Sequence, residues 1–367
     1  MSLPKKKLLL LQETITPYRF PIYNLIAKHF MFTVAFINKA KGTEELPADF
    51  QLIQLHTRTF FVYRWIKGLR ALCNEYDAVI TLPYNFRCTN LCLVPFFKNN
   101  YAALTWSIGI RASYVRPYSI DQSMNWRDRI YGAIMKKADA NIFYMDAPVK
   151  KWVEQGINEE KIFVAHNTVE VLPVSPSHTN KRYFLFVGTL YKQKGVDILI
   201  DAYHTALAKS TKSDFPKLMI VGSGSEEQTL KQKVCEYGLE DQIQFLGAIY
   251  EESELAKLFT QSIICISPNQ AGLSVLKSMG YGVPYVTQKD AITGGEILNI
   301  KNGENGIVYN TSEDLVDILY DAYTNSAKYI EMGKNAYRYY HQYATPQIMA
   351  DGVIKAVEYA LQKKEPA

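Results

Sequence analysis

Cysteine is scarce in this chain of 367 residues, which has only five. An odd number of cysteines without a CxxC pair argues against a disulfide framework and against a zinc site. Cys88 and Cys92 lie four positions apart and have no histidine nearby. This usage is typical of a reducing compartment, so we expect a cytoplasmic protein.

Long apolar runs are also missing. The start, MSLPKKKLLLLQ, has basic residues followed by only four leucines. That run is too short for a signal segment or a membrane span, and it favours a first strand. No other stretch approaches the length of a spanning helix. No short repeat appears either, which excludes solenoids and propellers.

The bulk composition is typical of a soluble two-domain enzyme. Hydrophobic residues make up 48% and charged residues 21%, and 367 residues are too many for one typical core. The net charge of +5 suits an anionic ligand or an anionic membrane face without requiring either. We expect no nucleic-acid partner.

Short apolar runs alternate with amphipathic stretches in both halves of the chain. A Pro- and Ser-containing stretch, LPVSPSHTNK, separates the halves at residues 172–181. The predicted strands are Lys7–Leu11, Met31–Ile37, Ala78–Leu82, Ala102–Trp106, Ala140–Tyr144 and Ile162–Ala165, then Tyr183–Val187, Leu218–Val221, Ile243–Leu246, Ile263–Ile266, Tyr285–Thr287 and Gly306–Tyr309. This alternation predicts two doubly wound parallel sheets.

The most informative stretch is SPNQAGLSVLKSMGYGVPYV, residues 267–286. It follows an apolar run and predicts a small-residue loop, a helix and a glycine stop before the next strand. A helix that begins behind such a loop presents free backbone N–H groups to an anion.

This stretch resembles the sugar-nucleotide signature of GT-B glycosyltransferases of the family 4 type, E-G-F-G-L-x-x-L-E-A-M-A-x-G-x-P-V. The residues in register are Gly272, Leu273, Leu276, Met279, Gly282 and Pro284. Asn269 and Lys277 stand where the family has glutamates, of which the first contacts the donor sugar and the second the ribose.

A second stretch, FVGTLYKQKGVDILI at residues 186–200, resembles the family pattern FVGRLxxxKGxDxLIxA. By this resemblance Lys194 is the diphosphate lysine, and Thr189 replaces an arginine. Lys192 or Lys277 could supply the missing charge. Glu296 aligns with a family glutamate that follows two glycines, and two roles are open for it: binding the donor or capping the next helix. The resemblance implies a donor site formed by Gly188, Thr189, Lys192, Lys194, Gly222, Asn269, Ala271, Gly272, Leu273, Ser274, Lys277 and Glu296.

Acceptor-side candidates follow strands of the first half. The loop ETITPYRF comes directly after the first strand, at the sheet edge where ligands bind in α/β proteins. Its candidates are Thr16, Tyr18 and Arg19, with Glu13 as the candidate base; alternatively, Thr16 and Pro17 only cap the next helix. Tyr84, Asn85 and Ser107 follow later strands.

The resemblance implies a GT-B fold, in which two Rossmann-like domains face a cleft. Residues 1–172 would form the acceptor-binding domain, which a C-terminal helix at 346–367 would join, and residues 173–345 would form the donor-binding domain. The implied function is transfer of a sugar from a nucleotide sugar, expected to be a UDP-sugar, to a glycan or lipid-linked acceptor in cell-surface polysaccharide biosynthesis. Because no Asp-x-Asp follows a strand, we expect no metal and no cofactor, with Lys194 and Glu13 as catalytic residues and, by the resemblance, retention of configuration.

Three interpretations remain open. Residues 60–72 predict an amphipathic helix with basic and aromatic residues, so segment 58–72 is either a peripheral contact with the inner membrane face or an ordinary surface helix. The departures at Asn269 and Lys277 also fit a catalytically degenerate protein that binds nucleotide or glycan, or partners an active enzyme. A third alternative is a GT-B sugar-nucleotide epimerase.

Overall fold

The chain forms two compact units. In the computed structural model the described residues are 4–43, 46–60, 63–82, 96, 100–110, 124–174, 181–210 and 214–364. Of the described residues, the first unit contains those up to Asn167 together with the segment from Thr345 onward. The second runs from Thr168 to Ala344. It begins at Thr168 because Val169 and Val171 pack into its core.

The first unit is built on a seven-stranded parallel sheet. The strands are β1 (Lys7–Ile15), β2 (Met31–Lys39), β3 (Gln51–Gln54), β6 (Ala78–Thr81), β7 (Ala102–Ser107), β8 (Ala140–Phe143) and β9 (Ile162–Val164), in the spatial order β3-β2-β1-β6-β7-β8-β9. A separate antiparallel hairpin is formed by β4 (Thr57–Phe60) and β5 (Tyr63–Ile66). All four leucines from Leu8 to Leu11 are fully buried, because helices and loops cover both faces of the sheet.

The described residues of this unit form five α-helices: α1 (Phe20–Ala27), α2 (Leu69–Cys73), α3 (Trp126–Lys137), α4 (Val149–Glu154) and the C-terminal helix α11 (Pro346–Gln362). Asn125 and Asp128 form a capping box at the start of α3. Thr345 caps α11, and Gly352 lets this helix approach β9, since a Cβ there would lie 2.3 Å from the Val164 carbonyl oxygen. The C-terminal helix therefore completes the first core.

The second unit has a six-stranded parallel sheet and a two-stranded one. The strands are β10 (Tyr183–Val187), β11 (Lys217–Val221), β12 (Ile243–Phe245), β13 (Ser262–Ile266), β14 (Gln270–Ala271), β15 (Tyr285–Gln288), β16 (Ile292–Thr293) and β17 (Gly306–Tyr309). The spatial order of the larger sheet is β12-β11-β10-β13-β15-β17, and β14 pairs with β16. The helices are α5 (Val196–Lys209), α6 (Glu227–Glu236), α7 (Glu252–Thr260), α8 (Ser274–Gly280), α9 (Ser312–Thr324) and α10 (Ser326–Tyr343).

Both sheets have the Rossmann strand order, which confirms the predicted pair of doubly wound domains. In such a sheet the order reverses next to the first strand, and ligands bind at the carboxyl ends of the two strands that flank the reversal. The reversal lies between β1 and β6 in the first unit and between β10 and β13 in the second. Both candidate sites start from these positions.

The amphipathic helix predicted at residues 60–72 is wrong. This segment forms β5 and the short helix α2, with β4 as the antiparallel partner of β5. Ile66 and Leu69 are buried, whereas Trp65 is 58% exposed. The alternation of exposed Trp65 and buried Ile66 is the period-two pattern of a strand, which competes with the helical spacing in a segment this short.

No helix of the described residues is both long and apolar enough to cross a membrane.

Candidate functional site

The donor-side candidates converge at the carboxyl ends of β10 and β13. Gly188 follows β10, and the turn at Lys192–Lys194 leads through Gly195 into α5. Asn269 follows β13, and its backbone N–H donates to the Lys194 carbonyl oxygen at 3.3 Å. Gly195 has a φ of +68°, and a Cβ there would lie 2.7 Å from the Asn269 Nδ2, so both backbone and packing require glycine. The fold thus brings Gly188, Lys194 and Asn269 together.

Lys194 is a cation in a desolvated position. Its ammonium lies over Gly188, where a Cβ would be only 3.2 Å from Nζ. Burial lowers the pKa of Lys194 to about 8, partly offset by Cys265. No carboxylate within the described part of the chain forms an ion pair with it, and the positive amino end of α5 begins two residues later. This local excess of positive charge is suited to an anionic ligand.

The glycines at this edge of the sheet differ in whether the fold requires them. A Cβ on Gly222 would lie 1.9 Å from the Gly188 carbonyl oxygen, and Gly222 has a φ of +143°, so it is needed for the fold. Gly272, in contrast, has no atom within 4 Å of an added Cβ and an ordinary φ. Neither packing nor backbone conformation demands glycine at position 272, whereas close approach of a ligand would.

Two tyrosines that were not among the predicted site residues, Tyr191 and Tyr285, hold the loop before α8. The Tyr191 hydroxyl donates to the Gln270 Oε1 at 2.5 Å, and the Ser274 Oγ and Tyr285 hydroxyl are 2.8 Å apart. Ala271 is fully buried, and Leu273 and Ser274 are half-buried. Tyr191 lies inside the second motif but at a position that the family pattern leaves unspecified, so no signal marked it.

Three other donor-side candidates have distinct environments. Glu296 is buried, and its Oε2 accepts from the Gly294 N–H at 2.9 Å and from the Thr293 hydroxyl at 3.2 Å. It therefore stabilises the turn that leads into the 3-10 helix Glu296–Asn299. Thr189 and Lys192 are exposed on the loop after β10.

Lys277 has a carboxylate partner. Its Nζ lies 2.6 Å from the Glu252 Oε2, and the Tyr281 hydroxyl donates to the other oxygen of Glu252 at 2.5 Å. Glu252 is the first residue of α7. The positive charge of Lys277 is thus already compensated inside the second unit, which distinguishes it from Lys194.

The acceptor-side candidates of the first unit lie near the reversal between β1 and β6. Glu13, near the end of β1, forms an ion pair of 3.4 Å with Arg64 of β5, and both side chains are more than a third exposed. Thr16 precedes the 3-10 turn Pro17–Arg19 but makes no side-chain cap, so the alternative role as a cap is not supported by its hydroxyl. Tyr84 and Asn85 lie outside the described residues.

Arg19 is buried, whereas Tyr18 beside it is 38% exposed. The Arg19 guanidinium donates to the Asn167 Oδ1 at 2.9 Å and contacts the Met349 sulfur at 3.1 Å. It stacks against the rings of Tyr18, Tyr144 and Trp106 at 5.0–5.8 Å from their centroids. Arg19 therefore joins the loop after β1 to α11, and of these two neighbours it is Tyr18 that offers a surface to a ligand.

Ser107 is also buried. Its hydroxyl is hydrogen-bonded to Tyr131 of α3 and accepts from the Gly109 N–H at 3.0 Å. The structure thus gives Ser107 two protein partners at the end of β7. No group of three or more His, Cys, Asp or Glu side chains in the described ranges is arranged to hold a metal ion.

Comparison with known proteins identifies the second unit. The family of glycosyl transferases group 1 matches residues 170–339. These residues are a glycosyl transferases group 1 domain. This group 1 domain contains Gly188, Lys194, Asn269 and Gly272, and the motifs at residues 186–200 and 267–286 both lie within it.

Curated relatives match only part of the protein. The D-rhamnosyltransferase WbpZ of Pseudomonas aeruginosa is 30% identical over 177 residues, which are 45% of this chain and 42% of that protein. The chain spans less than half the length of the first curated relatives it matches. These matches therefore cover only part of this chain and part of each relative.

Solved structures match over nearly the whole chain. HepE from Anabaena, in complex with UDP, has a TM-score of 0.72 at 17% identity and covers 96% of this chain and 99% of its own. WaaG, a glycosyltransferase involved in lipopolysaccharide biosynthesis, has a TM-score of 0.62 at 15% identity and covers 94% of this chain and 98% of its own. At this identity the likeness establishes the fold, which is GT-B.

Proposed function

We propose that the protein is a glycosyltransferase that moves a sugar from a UDP-sugar to a glycan acceptor, without a bound metal and with retention of configuration. The observation that carries the proposal is Lys194, a half-buried ammonium beside Gly188 and the positive end of α5. A diphosphate supplies the missing negative charge. UDP is favoured as the nucleotide because HepE, which shares the fold, binds UDP and UDP-glucose.

In the proposed reaction the bond between the anomeric carbon and the diphosphate breaks, and an acceptor oxygen takes its place. Charge that develops on the leaving diphosphate is stabilised by the Lys194 ammonium and by backbone N–H groups at the start of α5. Glu13 is the candidate that receives the acceptor proton. Gly272 leaves room for the donor because no protein atom fills the space beside its Cα.

We propose a lipid-linked acceptor at the inner face of a membrane, in the synthesis of a cell-surface polysaccharide. WaaG, which has the same fold, is described as acting in lipopolysaccharide biosynthesis. The buried cysteines Cys73 and Cys265 are free thiols, which suits a reducing compartment.

The donor proposal is tested by thermal unfolding with and without UDP at constant ionic strength. A ligand that binds only the folded state raises the melting temperature. We expect UDP to stabilise the wild type and Lys257→Met, a control that removes an exposed lysine of the same unit. Lys194→Met should lose this stabilisation, and Gly272→Ala should reduce it without lowering the melting temperature of the free protein.

Transfer is tested separately from binding. Glu13→Gln should still be stabilised by UDP but should lose transfer of radiolabelled sugar to an acceptor extract. Equal stabilisation of wild type and Lys194→Met by UDP would contradict the donor site. Stabilisation by UDP with no turnover of any UDP-sugar would instead favour the alternative of a nucleotide-binding protein without catalysis.

A further inference from the structure

One helix of the first unit has an exposed face unlike that of an ordinary surface helix. In α3, WRDRIYGAIMKK, Trp126 is 62% exposed and Ile130 is 38% exposed, and Ala133 is exposed as well. Positions 126, 130 and 133 are spaced by four and three residues, so they form one stripe along the helix. An apolar stripe with a tryptophan at its start is therefore turned outward.

Cations flank this stripe on both sides. At 100° per residue, Arg127 lies on one side of the stripe, and Arg129 and Lys136 lie on the other. Lys137 continues the stripe at the end of the helix, and all four of these side chains are exposed. The only acidic residue of the helix, Asp128, is buried in the capping box. The outer face of α3 is thus apolar in the middle and positive at both margins.

The inner face of the same helix is firmly packed. Tyr131 is fully buried and packs against Trp152 of α4 with ring centroids 5.1 Å apart, and its hydroxyl bonds to Ser107. The Trp152 indole N–H donates to the Gly109 carbonyl oxygen at 2.5 Å. These contacts hold α3 in one orientation, so the stripe cannot be buried by rotation of the helix.

The position of the helix matters as well. A helix that connects two parallel strands runs opposite to them, so α3 starts at the carboxyl edge of the first sheet. Trp126 therefore lies at the edge of the unit where β1 and β7 end. This is also the edge that carries the acceptor-side candidates Glu13 and Tyr18.

We propose that the outer face of α3, defined by Trp126, Arg127, Arg129, Ile130, Ala133, Lys136 and Lys137, is a docking surface for an anionic lipid bilayer. Tryptophan and short apolar side chains insert at the headgroup level, and flanking cations attract anionic headgroups. The charge pattern favours a bilayer over a protein partner, because the cations of α3 surround the stripe and the one acid of this helix is buried. This inference deepens the proposed function, since it places the acceptor side of the protein at a membrane.

The test uses the tryptophans of the full-length protein. Trp106 and Trp152 are buried, so Trp65 and Trp126 are the exposed tryptophans among the described residues. We expect vesicles of equimolar phosphatidylcholine and phosphatidylglycerol to shift the fluorescence emission to shorter wavelength, and phosphatidylcholine vesicles to leave it unchanged. The shift should disappear in Trp126→Phe and persist in Trp65→Phe.

Charge is tested with two matched double variants that remove the same number of cations. R127Q/R129Q changes α3, whereas R58Q/K67Q changes exposed positions in β4 and directly after β5. Each cation near an anionic surface contributes about fivefold in affinity, so we expect R127Q/R129Q to bind the anionic vesicles roughly 30-fold more weakly in co-sedimentation. R58Q/K67Q should bind like the wild type.

The proposal is overturned if the wild type does not bind the anionic vesicles, if both double variants weaken binding equally, or if Trp65→Phe and not Trp126→Phe abolishes the fluorescence shift. All substituted positions are exposed, and unchanged thermal unfolding of each variant will confirm that it is folded. Vesicle binding needs neither donor nor acceptor. It can therefore fail while UDP binding succeeds, and the reverse also holds.

Discussion

Replacing Lys194 by methionine should stabilise the free protein. In the folded chain burial lowers the pKa of Lys194 from its usual 10.5 to about 8. At pH 7 the side chain is protonated in the folded and unfolded states, so folding carries the cost of keeping a charge in a desolvated position. A difference of that size corresponds to at most about 3 kcal/mol, and solvent contact of the half-buried side chain reduces it to about 1–2 kcal/mol.

The sign of the pH dependence follows from the lowered pKa. Between pH 8 and 10.5 the unfolded chain holds the proton while the folded chain releases it, so this group adds stability as the pH rises. The advantage of Lys194→Met over the wild type should therefore be largest below pH 8 and should vanish towards pH 10.5. Methionine keeps most of the aliphatic volume of lysine, so loss of packing is small.

The assay is urea unfolding of the full chain at pH 7 and pH 9.5, without nucleotide. The four tryptophans of the chain, Trp65, Trp106, Trp126 and Trp152, all lie in the first unit. Their fluorescence reports that unit, and far-UV circular dichroism reports both. The transition of the second unit should move to higher urea at pH 7, and Lys257→Met should leave it in place. A variant less stable than the wild type by the same amount at both pH values would refute the reasoning.

Three further predictions follow from contacts within each unit. Gly222→Ala should lower the free energy of unfolding by about 3 kcal/mol or more, measured by urea titration, because its Cβ would collide with the Gly188 carbonyl oxygen. Lys277→Met should cost about 1–2 kcal/mol through loss of its pair with Glu252, while UDP stabilisation stays as in the wild type; a loss of UDP stabilisation alone would contradict this. Arg19→Lys should destabilise the first unit in tryptophan-detected unfolding, because an ammonium cannot reach the Asn167 oxygen and keep the planar contacts with the rings; unchanged stability would contradict the joining role.

The structure separates two lysines that the motif places in the same site. Lys194 is confined by its own turn and by Gly188, and it has no carboxylate partner in the described structure. Lys277 lies on α8 and is compensated by Glu252, which is 25 positions away in the chain. A glutamate on α7 thus pairs with the lysine that stands at the position of the family glutamate. The positive charge that the motif does not have at position 277 is therefore compensated by a carboxylate of the same unit.

The alternation of apolar runs and amphipathic stretches was enough to predict two doubly wound parallel sheets. Buried parallel strands need apolar residues on both faces, and runs such as Leu8–Leu11 show this directly. The donor motifs could also be recognised from the sequence, because they reflect local requirements. Glycine is required at positions 222 and 195 by the local backbone conformation and by close packing. Local requirements of this kind can be recognised in the sequence.

Only the tertiary structure determined the features that depend on contacts between residues far apart in the chain. The segment around Trp65 has helical spacing and strand alternation at once, and the pairing of β4 with β5 selected the strand. The sequence predicts Arg19 as a ligand-binding cation, but in the structure it is buried in contact with Asn167 and Met349. The inward packing of Tyr131 sets which face of α3 is turned outward. Burial and charge compensation arise between residues far apart in the chain, so local pattern cannot determine them.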